Sequence, residues 1–344
     1  MTILKLLSSL LANPETSRIA IADIQGNGVT YSELRHSITQ TQIWLREAGI
    51  APSDTIATYL RNGPETAALL VALFSYCRMA PINPAYTAAE ISFVLGDVKA
   101  RALITTAGAH EAIGVMRESG AGLILLEPGE HRPGTYTLHT AGAAVPKSAG
   151  KPTALHPNDM ALLLHTSGTT SRPKLVPLTH TNLWLSSHSV AKVLQLEPRD
   201  RCLSIMPLFH IHGLVAGLLA SLTVGATVCC SPSFQGTSFF SWLNTSQATW
   251  YTAVPTMHQT ILARAGHNSH AIEHHRLRLI RSSSAPLYPN VWEQLEKVFA
   301  VPVLNSYGMT EAAHQISSVP LPPGQFVSQY RGGHFRPEDR RDKR

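Results

Sequence analysis

In LLLHTSGTTSRPKLVPLTH, residues 162–180, the end of an apolar run at 160–164 leads into a turn rich in hydroxyls and glycine that closes on Pro173-Lys174. The run predicts a buried strand, and the residues after it a turn. Gly168 lets backbone pass close to a ligand. Thr166, Ser167, Thr169 and Thr170 bring hydroxyl and N–H donors, and Lys174 brings a compact positive charge, a combination suited to phosphate. The pattern is not G-x-x-x-x-G-K-[ST], because no glycine precedes the lysine and no hydroxyl follows it. A polar surface loop has the same composition, so the stretch alone leaves both readings open.

Around it lies a chain of 344 residues, 44% hydrophobic and 15% charged, which suits a globular enzyme with two or so domains rather than a disordered or coiled-coil protein. The formal charge of +6 suits anionic ligands such as nucleotides, but half of it comes from the last twenty residues. No zinc-finger spacing or RNA-binding aromatic motif accompanies that charge, so nucleic acid is not an expected partner. Cys77, Cys202, Cys229 and Cys230 form no C-x-x-C pair and read as buried thiols in a reducing compartment. Residues 202–263 carry no formal charge, yet Gly, Pro, His and Ser interrupt them too often for a membrane span. The opening leucines read as a short amphipathic helix rather than an export signal.

Strand and helix patterns alternate from residue 18 to 126. Strands at 19–24 and 29–31 flank the hairpin signal Gln25-Gly26-Asn27-Gly28, and Ser32 is read as the cap of a helix ending at Gly49. Further strands at 55–60, 102–105 and 123–126 and helices at 64–79 and 88–95 give the rhythm of a parallel sheet covered on both faces. Residues 127–157 lack periodicity and read as a connection between two α/β subdomains. The second is expected to continue with a helix at 181–193, strands at 202–206, 227–231, 249–254, 279–283 and 303–306, and helices at 213–222 and 289–299.

Two later segments, Met206-Pro207-Leu208-Phe209-His210 and Tyr307-Gly308-Met309-Thr310-Glu311, stand in order after TSGTTSRPK. Together the three resemble the signature motifs of the acyl-adenylate-forming (AMP-binding) superfamily, which includes acyl-CoA synthetases, luciferases and peptide-synthetase adenylation domains. Ser171-Arg172, His210-Ile211-His212-Gly213 and the run from Thr310 to Gln315 look most like its oxalate–CoA ligase branch. The resemblance covers about residues 14–325. It implies an α/β fold, the N-terminal large domain of an adenylate-forming enzyme, built as two α/β subdomains with mostly parallel sheets. Residues 1–150 and 151–324 are the expected subdomains, with 325–344 a divergent, disordered tail.

The resemblance also implies roles. Thr166, Ser167, Gly168, Thr169, Thr170, Ser284, Ala285, Tyr307 and Gly308 would hold ATP. Lys174, His210, Thr310 and Glu311 would serve the chemistry, Glu311 as the Mg²⁺ ligand. His210, Ser283, Asn305 and His314 would hold a small carboxylic acid, with coenzyme A as cosubstrate; His212 is read as packing. Those four acid-side residues make a compact polar pocket, which favours oxalate over other short, aryl or fatty acids. Leu175, where the family usually has glycine, predicts a strained or displaced turn. The tail lacks the family's ribose motif, hinge and C-terminal domain with its adenylation lysine. The alternative to an active ligase is therefore a non-catalytic nucleotide-binding remnant or interaction subunit. The terminal Asp-Lys-Arg is not the peroxisomal Ser-Lys-Leu address, and the expected placement is cytoplasmic, with peroxisomes open for relatives.

Overall fold

The computed structural model describes residues 17–119, 121–142, 145, 155–166 and 173–322. Two sheets carry the architecture. The first has seven strands in the order β7-β6-β5-β3-β4-β8-β9. These are β3 (Thr55–Tyr59), β4 (Arg78–Pro81), β5 (Ala102–Thr105), β6 (Gly122–Pro128), β7 (Tyr136–Ala141), β8 (Met160–Thr166) and β9 (Lys174–Thr179). The second has eight, β15-β14-β13-β12-β10-β11-β1-β2. They are β1 (Ile19–Ala22), β2 (Gly28–Thr30), β10 (Arg201–Ser204), β11 (Thr227–Cys230), β12 (Trp250–Ala253), β13 (Leu279–Ser282), β14 (Val303–Met309) and β15 (His314–Ser318).

Each sheet has a parallel centre, closed at both edges by an antiparallel pair: β6/β7 and β8/β9 in the first, β1/β2 and β14/β15 in the second. The central strands are buried on both faces, and β3, β5, β11, β12 and β13 are buried at every residue. Such strands must be covered on both sides, and helices do so.

The expected boundary at residue 150 does not separate the sheets. Strands β8 and β9 follow it and join the first sheet; β1 and β2 precede it and join the second. The helix Pro64–Phe74 packs into a core that both sheets share. Every residue from Thr66 to Phe74 is buried, which only a helix covered all round permits. It contributes to one continuous core with Met79 and Leu162 of the first sheet and Ile21, Val228 and Cys230 of the second.

Other local differences have simple causes. The cap of helix Tyr31–Glu47 is Thr30, not Ser32: its Oγ1 accepts from the Glu33 N–H at 3.2 Å, and Glu33 returns a bond to the Thr30 N–H at 2.8 Å. Thr179 and Asn182 make the same reciprocal cap for helix His180–Val193. The helix expected to reach residue 79 stops at Phe74, and Arg78–Pro81 pairs as β4 between β3 and β8. Residues 136–141, read as connection, are β7, whose alternating exposure marks an edge strand with one wet face. All four cysteines are buried and unpaired. Among the described residues no helix is long and apolar enough to cross a membrane.

Candidate functional site

The second and third motifs come together with the strands that flank the first: His210 and Thr310 line one cavity with Leu164 and His165 of β8, and β9 touches the turn at Thr310–Ala312. β8 and β9 form a hairpin in which Thr166 pairs with Lys174, so these two residues are the last rungs below the turn. Ser167, Gly168, Thr169 and Thr170 lie outside the described residues. β9 was not expected, because Pro177 interrupts its pattern; β9 is the edge strand, where a missing N–H is tolerated. The turn whose strain or displacement Leu175 predicts lies outside the described residues. Leu175 itself is an exposed β9 residue paired with His165, with no left-handed backbone.

The second motif is the loop after β10. The Asn62 carboxamide clamps it from the first sheet's side: Nδ2 donates to the Met206 carbonyl and Oδ1 accepts from the Leu208 N–H, both at 2.9 Å. Gly213 is required at its far end, since a Cβ would stand 2.2 Å from the Pro207 carbonyl oxygen. This anchoring places His210 on a cavity of about 150 Å³ shared with Asn83, Tyr86, His165, Phe209 and Thr310. Its ring reaches solvent at the rim, while the surrounding walls desolvate it and lower its pKa. His165, which sequence reading missed, is held there by Nε2–H donating to Asp97 at 2.7 Å.

The third motif occupies the end of β14 and the turn into β15, so the strand expected to stop at residue 306 runs on to Met309. Tyr307 presents an exposed ring. Gly308 is required, because a Cβ would fall 1.6 Å from the His314 carbonyl oxygen. Thr310, half-buried, opens the one-turn 3₁₀ helix Thr310–Ala312, and Glu311 is exposed beside it. Ala313 and His314 turn the chain at φ 53° and 101°, a region non-glycine residues rarely adopt. Glu311 fits a hard divalent cation held chiefly by phosphate oxygens and water, which needs only one or two protein carboxylates. Among the described residues no group of three or more His, Cys, Asp or Glu side chains could hold a metal alone.

After β13, Ser283 is buried and donates to the Ser306 carbonyl at 3.2 Å, whereas Ser284 and Ala285 are exposed. Ser284 is left-handed at φ 73°. Asn305 is half-buried on β14 beside Ser282, with its Oδ1 buried and unpartnered among the described residues.

Two groups below this turn were not foreseen. His212, read as packing, opens the π-helix His212–Leu219 and is fully buried in a polar network. Its Nδ1 stands 2.9 Å from Ser284 Oγ, its Nε2 2.6 Å from Thr252 Oγ1, and its ring stacks on His314 at 4.8 Å. Arg281, on β13 with no exposed surface, donates from Nη1 to His212 Nε2 (3.3 Å) and Thr252 Oγ1 (3.2 Å). Its Nη2 donates to His314 Nε2 (3.1 Å) and Gln315 Oε1 (3.0 Å). Burial, then the neighbouring cationic groups, hold both imidazoles far below their ordinary pKa, so both are neutral. Burial pulls Arg281 down to about 9, which leaves it charged at neutral pH. An arginine following Leu279-Ile280 in a strand carries no motif signal, and only the fold shows what it meets.

A profile of the family described as AMP-binding enzyme matches residues 11–336. The chain is 43% identical over 284 residues to an oxalate–CoA ligase of Arabidopsis thaliana, covering 80% of this chain and 54% of the relative. It is 32% identical to an oxalate–CoA ligase of Saccharomyces cerevisiae, covering 86% and 59%. ATP-bound MatB from Rhodopseudomonas palustris superposes with a TM-score of 0.78 at 25% identity, over 93% of this chain and 62% of that one. The chain thus spans a little over half the length of these curated relatives. Sequence, motif order and the pair of mostly parallel sheets agree, and the chain belongs to the family of AMP-binding enzymes.

Proposed function

We propose that this chain carries the ATP- and acid-binding site of a carboxylic acid–CoA ligase that works through an acyl-adenylate, with oxalate as the acid. The observation that supports it most is that His210 and Thr310 line one cavity with Leu164 and His165 of β8, the strand that ends at Thr166 paired with Lys174. Ligands bind at such strand ends in open α/β sheets.

A carboxylate is a poor electrophile, so one oxygen first attacks the α-phosphorus of ATP and pyrophosphate leaves. The thiolate of CoA then attacks the acyl carbon and AMP leaves. In this reading the turn with Lys174 faces the pyrophosphate, Thr310 donates to the α-phosphate, and the exposed Tyr307 ring offers a face to adenine. Glu311 would hold Mg²⁺, whose charge offsets that of the triphosphate. His210, Ser283, Asn305 and His314 orient the acid, a positioning role worth several orders of magnitude when reacting atoms are aligned. The compact polar surroundings and the two oxalate–CoA ligase relatives both favour oxalate over an aryl or fatty acid.

Oxalate labelled with ¹⁸O tests the pathway. An acyl-adenylate route places one labelled oxygen in AMP, read by mass spectrometry. AMP without label, while ATP is consumed, means hydrolysis and contradicts the reading. ATP binding with no turnover under oxalate identifies a nucleotide-binding subunit instead.

A further inference from the structure

Arg281 is fully buried, charged, and has no carboxylate partner among the described residues. Its polar neighbours are Thr252, Gln315 and two neutral imidazoles, and its Nε makes no hydrogen bond. The contrast with Arg278, three residues earlier and just before β13, is informative: that guanidinium is also buried but is paired with Asp200 at 2.6 Å through two N–H groups. A buried charge without a counter-ion is costly, and a site that keeps one is built for an anion that arrives later.

The guanidinium also dictates where protons sit. Arginine has no acceptor atom, so an Nε2 that accepts from it must present a lone pair. The proton of His314 is therefore on Nδ1, and the guanidinium favours the same tautomer in His212, with the Thr252 hydroxyl donating to Nε2 at 2.6 Å. In His212 that Nδ1–H donates to Ser284 Oγ, which links the buried charge to the exposed turn after β13. In His314 the same constraint fixes the donor edge of a residue at the turn following the third motif.

We propose that Arg281 is the positioning residue that selects a doubly charged acid: it fixes His212 and His314 as neutral Nδ1–H donors and supplies the positive charge that balances the carboxylate not engaged with phosphate. This rests on the ligase reading above and adds the substrate's charge class to it. A monocarboxylate leaves the guanidinium uncompensated, whereas a short dicarboxylate places one group toward the α-phosphate and the other toward the Ser284, His212 and His314 edge. Arg281 acts through those side chains rather than by touching the reacting atoms.

The test is titration calorimetry on the 344-residue chain with a non-hydrolysable ATP analogue bound, using oxalate and acetate as probes. The wild-type chain is expected to prefer oxalate. Arg281→Gln should lower oxalate affinity by about tenfold or more with little change for acetate or the ATP analogue, and Arg281→Lys should keep part of the preference. Equal losses for oxalate and acetate, or none, overturn the proposal. So does a wild-type chain that binds both acids alike. If Arg281→Gln does not fold, ¹⁵N-histidine spectra of the wild-type chain still decide: Nδ1–H tautomers at His212 and His314 support it, and Nε2–H tautomers overturn it. Failure of the ATP analogue itself to bind defeats the ligase reading, which is a separate outcome from binding ATP and acids without discrimination.

Discussion

At the scale of single residues, the site is held together by positions that tolerate no other side chain or no other charge state. Gly308 is one: an added Cβ would enter the carbonyl of His314. Gly308→Ala is expected to cost on the order of 1–3 kcal/mol in urea unfolding, since the β14/β15 register must open to admit it, and to weaken ATP binding with it. The buried histidines are another. His258 is pushed down to about 4 by desolvation from an ordinary 6.5, and His180 likewise to about 4. Below pH 6.5 the unfolded chain gains protons that these folded imidazoles refuse, so their neutral burial favours folding above that pH. Stability therefore falls as pH drops from 6.5 toward 4, by about 3 kcal/mol for His258 alone. Urea midpoints at pH 7 and pH 4.5 should differ accordingly, and His258→Gln should flatten the difference; an unchanged pH profile in the variant contradicts the assignment. The motif residues could be singled out because they stand in short contiguous strings. Arg281 and His165 were not, because a lone Arg or His in an apolar strand gains meaning only from partners such as His212, His314 and Asp97.

At the scale of elements, the strands around the site are locked by a few buried polar contacts. Asp200 precedes β10, Thr249 precedes β12 and Arg278 precedes β13. Thr249 Oγ1 donates to Asp200 at 2.7 Å, and the guanidinium forks onto both carboxylate oxygens. Asp200→Asn strands the Arg278 charge in the interior and should destabilise the chain by roughly 3–5 kcal/mol, read in denaturant unfolding. The Asn62 clamp on the His210 loop is a milder case. Asn62→Ala leaves the Met206 carbonyl and Leu208 N–H unsatisfied, an expected loss of about 1–3 kcal/mol, and should weaken acid binding more than ATP binding because only the His210 loop is released. Comparable losses for both ligands would contradict that division. The helices starting near residues 31 and 88 were readable from their apolar spacing, but their reciprocal caps, Thr30 with Glu33 and Thr87 with Glu90, were not: Ser32 stands beside Thr30 with the same kind of hydroxyl. β7 and β9 were not, because edge strands need little apolar patterning and Pro177 disguises the second.

At the scale of the whole molecule, the chain is two sheets sharing one core, to which the buried helix Pro64–Phe74 and the π-helix His212–Leu219 both contribute. The alternation of strands and helices disclosed two mostly parallel sheets. It could not disclose that β1 and β2 cross to the second sheet or that β8 and β9 return to the first, since pairings as distant as Ile21 with Val228 and Met79 with Leu162 leave no local pattern. The shared core makes unfolding cooperative. Leu70→Ala, at a fully buried position, should cost about 2–5 kcal/mol and raise amide exchange in β3 and β11 together; exchange confined to one sheet would mean independent halves. The same junction brings β9 against the 3₁₀ helix Thr310–Ala312, the approach that the proposed adenylation site calls for. The most direct measurement is pyrophosphate release by the purified chain with ATP, Mg²⁺ and oxalate, beside an acetate control and Lys174→Ala. Release that depends on oxalate and is lost in the variant is the predicted result. Release indifferent to the acid, or undiminished without Lys174, would contradict the assignment of this cleft as the adenylation site.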